Sequence, residues 1–583
     1  MSSNKQDTID KTHWDVAMNR SRRAKWLCVL ATLLLPTVTP ASEPLQIGSN
    51  KQLFIGPFDE HGRDTHLVES MKNVEITMHP ARVTGERLVV QDRQWEGTGI
   101  LDMRQFVLQD GDTFRMYYNA LPHHFVSTDP KDPRKNLWGR PYNRILCYAE
   151  SQDGVHWTKP NLGLCEWDGS QENNILLPND DFEYVFSEMD GPCVFIDPNS
   201  KTPDEKYKMF IKVSPVSGKP ERSDDGPIPV RVTKQLPKAQ YAFASPDGIH
   251  WRLMSPKKVN AGPKNDTAYS VFWDERIGKY VQYSRVWQLA PEQVAYYKRT
   301  HQGYNGRAVV LHVGRATSDN FLDWSREETV LQPDGVDRAG SPEGLTRMDF
   351  YGGNISRYGE SQSVYIGLPN AYYHWKFDLT RKWWSGKHIQ EPSTIDVQLA
   401  LSRDGIHWHR TPKRKPFIRL GREGTFWSKT IWPDGNAIRV GDELWFYFVG
   451  LDVHHKEQSQ KKSRGARGRA VLRLDGFMSA DAAYTGGELV TKLLTFAGDH
   501  LELNVDTSAG GTVVVEIQDE AGKPIQGFAV SNADEINGNS VRRPVTWNGS
   551  GDVSALAGKP IRLRFVMRDT SLYAFRFRRG EKE

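Results

Sequence analysis

A short motif recurs four times along the chain, and its spacing constrains the fold more than any other feature. Each copy ends in a tryptophan and follows an apolar, strand-like stretch. The polar residues and glycine in the middle of the motif predict a tight turn, and the tryptophan is expected to pack between neighbouring units. The copies are SQDGVHW at 151–157, SPDGIHW at 245–251, SDNFLDW at 318–324 and SRDGIHW at 402–408.

An aromatic, strand-like segment precedes each motif at a nearly constant distance. The four segments are anchored 40, 41, 41 and 43 residues before the closing tryptophans, on Tyr117, Phe210, Tyr283 and Tyr365. A fifth segment, LWFYFVG, is anchored on Tyr447, and the five anchors are 93, 73, 82 and 82 residues apart. A unit of about 80 residues with four short strands is typical of one propeller blade. The sequence therefore predicts an all-β protein with a five-bladed β-propeller.

The fifth unit lacks the turn motif, so another segment has to complete its sheet. We expect the N-terminal strand around Gln52 to Gly56 to close the ring. After Phe477 the pattern changes to strands separated by turn signals such as EAGK and NGSGD. This pattern predicts a C-terminal β-sandwich at 480–583, which leaves 42–479 for the propeller.

The first 41 residues have the order of a signal peptide. Four basic residues between 20 and 25 precede an apolar run at 26–38, which ends in Thr-Pro-Ala. A membrane anchor is the competing interpretation, but the run is shorter than the roughly 20 residues that cross a bilayer. We therefore expect cleavage after Ala41, no transmembrane anchor in the mature chain, and a secreted or periplasmic protein.

Net charge and cysteine content argue against several functional classes. The formal net charge is +4 over 583 residues, which gives no electrostatic reason to expect nucleic-acid binding. Only Cys147, Cys165 and Cys193 follow the signal peptide, and they lack the spacing of metal ligands. The sequence thus supports no disulfide framework and no zinc site. We expect no metal among the site residues and no cofactor, and a structural calcium ion remains an alternative that the sequence does not decide.

Five long inserts are expected to surround one mouth of the propeller. They join the second and third strands of each unit, at 121–141, 214–238, 287–306, 370–393 and 453–467. The inserts are rich in aromatic residues and histidines, a composition that suits a carbohydrate-binding rim, although each aromatic residue alone is more often part of local packing. Candidate substrate-binding residues on this rim are Trp138, Trp287, Tyr373, Trp375 and His454.

Acidic residues recur at the starts of the inner strands, which line a propeller's channel. Counting back from each inner hairpin turn identifies Asp102, Asp190 with Glu188, Asp266 and Asp434, and Tyr351 in the fourth unit. Asp102, Glu188, Asp190 and Asp266 are the candidate catalytic residues, and Tyr351 and Asp434 are candidate substrate contacts. Glycoside hydrolysis requires two carboxyl groups on either side of the scissile bond. The alternative is that these carboxylates join blades through hydrogen bonds.

Several segments resemble known propeller proteins. IGSNKQLFIG, LCYAESQDGVHWTKPNLGL, DTAYSVFWDERIGKYVQYSR and GDELWFYFVG are similar to segments of secreted bacterial five-bladed propeller proteins that resemble the N-terminal domain of β-fructosidases. A more distant resemblance is to the arabinanase and xylosidase families. The turn motif also resembles that of sialidases, but it is one residue shorter, and the chain has five units whereas sialidases have six blades.

The resemblance to these glycosidases implies roles for the acidic residues. Asp102 corresponds to the base or nucleophile, Asp190 or Glu188 to an electrostatic tuner, and Asp266 to the general acid. Two features differ: GILDMRQ stands where the family has a WMNDPNG-like segment, and Asp266 stands where the acid is usually glutamate. Glu188 is therefore an alternative acid.

Together these observations predict an exported glycoside hydrolase that acts on a complex polysaccharide or oligosaccharide through paired carboxylates in the central pocket. The alternative is a non-catalytic carbohydrate-binding or cell-surface propeller protein. The two differ in whether the carboxylates face a shared cavity.

Overall fold

The computed structural model describes most of the chain after the predicted signal peptide. The described residues are 43–97, 104–122, 144–167, 169–177, 184–186, 188–215, 234–259, 268–289, 309–339, 345–359, 361, 364–375, 393–411, 413–455 and 463–580. Nearly all regular structure in these ranges is β, so the predicted all-β class is confirmed. None of the helices in these ranges has the length and apolar character that crossing a bilayer requires.

Five short strands come before the first repeat. They are β1 (Leu45–Gly48), β2 (Gln52–Leu53), β3 (Val68–Lys72), β4 (Val74–Met78) and β5 (Arg82–Val83), and a 3₁₀ turn follows at Gln94–Glu96.

The first three repeats each form a four-stranded antiparallel sheet. The first sheet contains β6 (Gln105–Asp110), β7 (Thr113–Ala120), β8 (Ile145–Ser151) and β9 (Ile175–Leu177). In the second repeat, β10 (Tyr184–Val185) precedes β11 (Glu188–Ile196), a 3₁₀ turn at Pro203–Glu205, β12 (Tyr207–Ser214), β13 (Lys234–Gln235), β14 (Ala239–Ser245) and β15 (Arg252–Leu253). Its sheet has the order β11-β12-β14-β15, and β10 pairs with β13. The third sheet contains β16 (Ala268–Asp274), β17 (Lys279–Leu289), β18 (Val309–Ser318) and β19 (Glu328–Leu331).

The fourth and fifth repeats share a sheet. After the short helix α1 (Gly335–Ala339), the fourth repeat has β20 (Leu345–Phe350), β21 (Ile355–Arg357), β22 (Tyr365–Gly367), β23 (Asn370–Trp375), β24 (Ser393–Val397), β25 (Ala400–Ser402) and β26 (Trp408–Arg410). The fifth has β27 (Thr430–Pro433), β28 (Ile438–Val440), β29 (Glu443–Leu451) and β30 (Ala466–Arg473). Strands β21, β22, β25 and β26 form one sheet, whereas β20, β23 and β24 continue into the fifth repeat. A single parallel pair, Ile395 with Thr430, makes this connection.

The C-terminal strands form three further sheets that include N-terminal strands. The strands are β31 (Met478–Ala482), β32 (Gly487–Thr491), β33 (Leu494–Phe496), β34 (His500–Asp506), β35 (Thr512–Gln518), β36 (Asn539–Pro544), β37 (Arg562–Arg568) and β38 (Thr570–Arg578), with a 3₁₀ turn at Ser554–Leu556. One sheet has the order β36-β34-β38-β31-β4, a second has the order β3-β32-β37-β35, and in the third β1 pairs in parallel with β33. Strands β3 and β4, which lie in the range assigned by sequence to the propeller, are therefore hydrogen-bonded to strands after residue 477.

The segment that completes the fifth repeat differs from the one expected. Strand β30 pairs with β5, through Ala470 with Val83 and Val471 with Arg82. The segment around Gln52 to Gly56 was the wrong choice, because β2 pairs with β38 in a C-terminal sheet. The physical reason is burial: residues 53–55 are apolar and fully buried, whereas Arg82 and Val83 lie on an edge that faces solvent on one side.

The anchor tyrosines explain the constant spacing of the repeats. The Tyr117 hydroxyl of the first repeat donates a hydrogen bond to the Gly248 carbonyl in the turn of the second, at 3.1 Å. Tyr283 of the third repeat contacts Gly405 of the fourth in the same way, at 2.8 Å. Tyr447 of the fifth contacts Gly154 of the first, at 2.9 Å, so the last repeat is joined to the first.

Tyr365 of the fourth repeat instead donates a hydrogen bond to Asp274 of the third. The contact between the second and third repeats departs from the pattern at both ends. The anchor of the second repeat is Phe210, which has no hydroxyl, and the turn of the third has Phe321 in place of glycine. The two rings lie 4.6 Å apart. A Cβ atom added at Gly248 would lie only 2.5 Å from the Tyr117 hydroxyl oxygen. A side chain at the turn position is therefore compatible with phenylalanine at the anchor and not with tyrosine.

Replacing Gly248 with alanine is expected to lower the free energy of unfolding by about 2–4 kcal/mol, because the new Cβ adds a clash to an unfavourable left-handed backbone conformation. The φ angle of Gly248 is 80°. Chemical denaturation measures the change. Gly278→Ala is the matched control, since Gly278 has a φ of 62° and nothing within 4 Å of the added Cβ. The second change Tyr117→Phe should recover part of the loss, and no recovery would contradict the clash.

Candidate functional site

Asp190 lies among cationic side chains from two repeats. It is near the start of β11, two residues after Glu188, and its cross-strand partner is Lys212 on β12. The carboxylate is 3.3 Å from Arg144 Nη1, 3.5 Å from Arg104 Nε and 3.7 Å from Lys212 Nζ. Arg104 and Arg144 belong to the first repeat, directly before β6 and β8. The ends of strands from neighbouring repeats therefore converge on this carboxylate.

The surrounding charges determine the protonation state of Asp190. Burial alone would raise the pKa of its carboxyl group, but the charges of Arg144, Arg104, Lys212 and Arg285 hold that pKa well below its usual range. The side chain is only 13% exposed, so solvent screens these charges weakly. Asp190 is therefore ionised at neutral pH. This state suits an electrostatic role and does not suit a proton donor.

Glu188 is two residues before Asp190 on β11, and the two side chains lie on the same side of the strand. The Glu188 carboxylate accepts a hydrogen bond from the Ser214 hydroxyl at 3.1 Å, and Ser214 is its cross-strand partner. Glu188 also forms a β-bridge with Arg144. The two acidic residues predicted from the second repeat are thus brought to the same place. The other two predicted catalytic residues, Asp102 and Asp266, lie outside the described residues.

An aromatic group lies beside the cations. Tyr351 packs edge-on against Trp432, Tyr372 and His455, with ring centroids 4.9, 5.6 and 5.0 Å apart. We call these four residues the aromatic wall. The guanidinium of Arg285, on β17 of the third repeat, lies 4.1 Å from the Tyr351 ring centroid. Arg285 is buried, so the contact between cation and ring is shielded from water.

The other predicted rim residues are placed differently. Tyr373 is on the opposite face of β23 from Tyr372, because side chains alternate along a strand, and its hydroxyl accepts a hydrogen bond from Gln398 at 3.4 Å. The Trp375 indole N–H donates to the Thr394 hydroxyl at 2.9 Å. His454 Nδ1 is 2.6 Å from the Ser393 carbonyl. Trp138 and the side chain of Trp287 lie outside the described residues.

Asp434 is buried and contacts the first repeat. Its carboxyl group accepts hydrogen bonds from the backbone N–H groups of Val107 and Asn436, each at 3.2 Å. Burial raises the pKa of Asp434 well above its ordinary value, against the opposing effect of the two backbone hydrogen bonds. Its contacts are those of a residue that joins two repeats. The cavity beside it, lined in part by Arg104 and Trp432, measures only about 20 Å³.

The cations of this site are Arg104, Arg144, Lys212 and Arg285, which we call the cation cluster. None of them was predicted from the sequence, where the candidates were carboxylates and aromatic residues. One signal was present in the sequence: Arg104 is two residues after Asp102, the spacing expected for side chains on one face of a strand.

A second carboxyl group with a raised pKa, Asp396, lies half-buried on β24. Burial raises the pKa of Asp396 to about 7, despite the opposing charges of Arg419 and Arg410 and the Gln398 hydrogen bond. A pKa that is higher in the folded than in the unfolded state gives stability that is complete below about pH 4 and is lost as the pH rises through about 7.

Asp396→Asn is therefore expected to raise the free energy of unfolding at pH 8.5, by at most about 4 kcal/mol, and to have little effect near pH 4. Thermal unfolding of both proteins over this pH range measures the difference. Asp112→Asn, in the exposed turn between β6 and β7, is the control. An equal effect at both pH values would contradict the assignment.

No protein-family model and no curated protein matches this chain. Solved structures do match. A β-1,2-mannobiose phosphorylase from Listeria innocua is 14% identical with a TM-score of 0.39, over 69% of this chain and 98% of that chain. An N-acetylgalactosamine deacetylase from F. plautii is 12% identical with a TM-score of 0.40, over 69% and 96%. An exo-β-1,3-galactanase from Phanerochaete chrysosporium is 11% identical with a TM-score of 0.32, over 85% and 100%. The function of this chain has to be inferred from its own residues.

Proposed function

We propose that this chain is an exported glycoside hydrolase, built as a five-bladed β-propeller with a C-terminal β-sandwich, that cleaves a polysaccharide or oligosaccharide in the pocket around Asp190. The observation that carries the proposal is the convergence of acidic, cationic and aromatic side chains from separate repeats. Glu188 and Asp190 come from the second repeat, Arg104 and Arg144 from the first, and the aromatic wall from the fourth and fifth.

The contacts between repeats support the propeller architecture. Three consecutive repeats form separate four-stranded sheets, and the fifth repeat contacts the first through Tyr447 and Gly154. A closed series of this kind brings the first strand of each repeat to a common axis. The fourth and fifth repeats then count as two blades that share the pair between Ile395 and Thr430.

In the proposed mechanism, some carboxyl groups of the pocket act in their ionised form and one acts as a proton donor. Asp190 stays ionised and favours the positive charge that develops on the sugar in the transition state. Asp102 serves as base or nucleophile, and Asp266 or Glu188 as the acid that protonates the leaving oxygen. Tyr351 offers an aromatic surface to a sugar ring.

One observation favours the alternative of a non-catalytic carbohydrate-binding protein. Of the predicted channel carboxylates whose contacts are described, Asp434 is used to join repeats and Asp190 is held in ion pairs. A pocket of this kind can bind sugar without cleaving it.

The test is release of reducing ends by the mature chain, beginning at residue 42, from a panel of plant, algal and microbial polysaccharides. The hydrolase proposal predicts release from at least one polymer that also binds. Binding in affinity electrophoresis without release from any polymer would favour the alternative. Expression with residues 1–41 in a Gram-negative host tests export, and a mature N-terminus at residue 42 in the periplasm or medium is expected.

A further inference from the structure

Gln105, the first residue of β6, has an amide group that is buried without a hydrogen-bond partner. The side chain is only 7% exposed. Neither the amide oxygen nor the amide nitrogen bonds to any residue that the structure describes. Proteins rarely leave a buried polar atom unpaired, because the loss of its bonds to water is then not compensated. A bound group is therefore expected to satisfy this amide.

Gln105 lines the cavity beside Asp434. The walls of this cavity come from the first, second, fourth and fifth repeats. Its volume of about 20 Å³ exceeds the roughly 10–15 Å³ that one water molecule needs. A pocket that encloses a whole small ligand measures roughly 300 Å³ or more. The cavity therefore has room for one small group and not for a sugar ring.

Trp432 brings a second unpaired polar group to the same cavity. Its side chain is fully buried, and its indole N–H bonds to none of the described residues. The two asparagines on the cavity are different, because their amides bond within the protein. Asn354 donates to the side-chain oxygen of Asn370 at 2.7 Å, and Asn370 donates to the Ile431 carbonyl at 3.2 Å. Gln105 and Trp432 are thus the polar side chains that a bound group would satisfy.

The unpaired atoms determine the chemistry of the group that they bind. The Gln105 oxygen requires a donor, whereas the N–H groups of Gln105 and Trp432 require an acceptor. A cation would be repelled by the N–H donors, and an anion would be repelled by the amide oxygen. A hydroxyl group both donates and accepts, so it matches all three. Exchanging the amide oxygen and nitrogen leaves the same requirement, since both atoms are unpaired.

We propose that this cavity binds one neutral hydroxyl group through the Gln105 amide and the Trp432 indole N–H. The hydroxyl belongs either to a buried water molecule or to a bound sugar, because Trp432 also packs against Tyr351 in the proposed substrate pocket. Only the sugar form rests on the proposed function. In both forms the bound group joins the first repeat to the fifth.

Gln105→Met tests the site through the sign of its effect on stability. Methionine has a similar volume but no amide, so it removes the bonds to the bound group and should raise the equilibrium constant for unfolding about 5–30-fold. In a dry cavity the same change would remove two unpaired polar atoms and lower that constant. Urea denaturation of the mature chain measures the difference.

Gln109→Met is the matched control, because Gln109 lies at an exposed position on the same strand. It should change the equilibrium constant for unfolding by less than about 2-fold. If Gln105→Met stabilises the protein, or has no more effect than Gln109→Met, the proposal is wrong.

High-resolution crystal structures of the mature chain distinguish the two sources of the hydroxyl. Without sugar, we expect one ordered water within hydrogen-bond distance of Gln105 and Trp432. Crystals soaked separately with glucose, galactose and xylose then show whether a sugar hydroxyl replaces that water or the water stays. A dry cavity would overturn the proposal, and so would a metal ion, recognised by distances of roughly 2.0–2.6 Å to its oxygen ligands.

The outcomes separate this inference from the proposed function. An ordered water in the cavity, with no polysaccharide cleaved, would support the hydroxyl site and count against the hydrolase. A dry cavity together with release of reducing ends would overturn the hydroxyl site and leave the hydrolase intact.

Discussion

Lys51→Met is expected to lower the free energy of unfolding by about 3–5 kcal/mol, because it leaves a carboxylate buried without its cation. Lys51 Nζ lies 2.9 and 3.1 Å from the two carboxylate oxygens of Asp475. The two side chains are only 5% and 0% exposed. Methionine fills a similar volume, so the effect reports on the charge and not on a cavity.

Because this ion pair connects several parts of the fold, its removal should destabilise the whole protein. The Tyr358 hydroxyl of the fourth repeat donates to Asp475 at 2.6 Å, and the Asn504 amide of β34 donates to it at 2.9 Å. The cluster therefore connects the N-terminal segment, the repeats and a C-terminal sheet. Unfolding in urea, followed by near-UV circular dichroism and tryptophan fluorescence, should show both signals shifting together.

Two comparisons make the Lys51 result specific. Lys257→Met removes a cation from an ion pair with Asp323 in which both side chains are mostly exposed, and it should cost less than about 1 kcal/mol. Adding Asp475→Asn to Lys51→Met removes the stranded charge and should recover part of the loss. If Lys51→Met costs no more than Lys257→Met, the buried pair does not have the role assigned to it.

Asp102→Asn and Asp266→Asn are each expected to lower kcat/KM by about 10²–10⁴-fold on whichever glycan the wild type cleaves, since asparagine neither attacks an anomeric carbon nor exchanges the required proton. Steady-state kinetics on the purified variants measures the loss. Asp112→Asn should be as active as wild type. Full activity of either pocket variant would remove that residue from the proposed mechanism.

Asp190→Asn should behave differently from those two variants. Because the nearby cations keep its pKa low, Asp190 does not titrate between pH 4 and 9, so neither limb of the pH–rate profile belongs to it. We expect a loss of about 10²–10³-fold with both limbs in place. Loss of the acidic limb in Asp190→Asn would instead identify Asp190 as the titrating base.

The sequence repeats predict most of the strand architecture. The distance from anchor to tryptophan is constant because the Tyr117, Tyr283 and Tyr447 hydroxyls have to reach a turn in the next repeat. Such a constraint recurs in three of the five units, so a single sequence shows it. The closing strand was harder to predict because β5 is two residues long and has no repeating partner from which to identify it.

The site was predictable only in part. Counting residues back from the hairpin turns predicted that Glu188 and Asp190 lie at the start of an inner strand. They lie at the start of β11. The rim aromatics were identified as a group, but the position of each depends on strand parity, so Tyr372 and His455 contact Tyr351 while Tyr373 faces the other side. Arg104, Arg144 and Lys212 belong to no recognisable sequence motif. They form one cluster only because the ends of their strands meet in the folded protein.

The pairing of β4 with β31 has a consequence for how the chain matures. Residues 74–78 are synthesised about 400 residues before their partners at 478–482, so the C-terminal sheets remain incomplete until translation is almost finished. Removing residues 480–583 would leave the hydrogen-bonding edges and apolar faces of β3 and β4 unpaired. The remaining fragment should therefore aggregate instead of folding as an independent module. To separate the repeats from the C-terminal sheets, both ends of the chain would have to be trimmed.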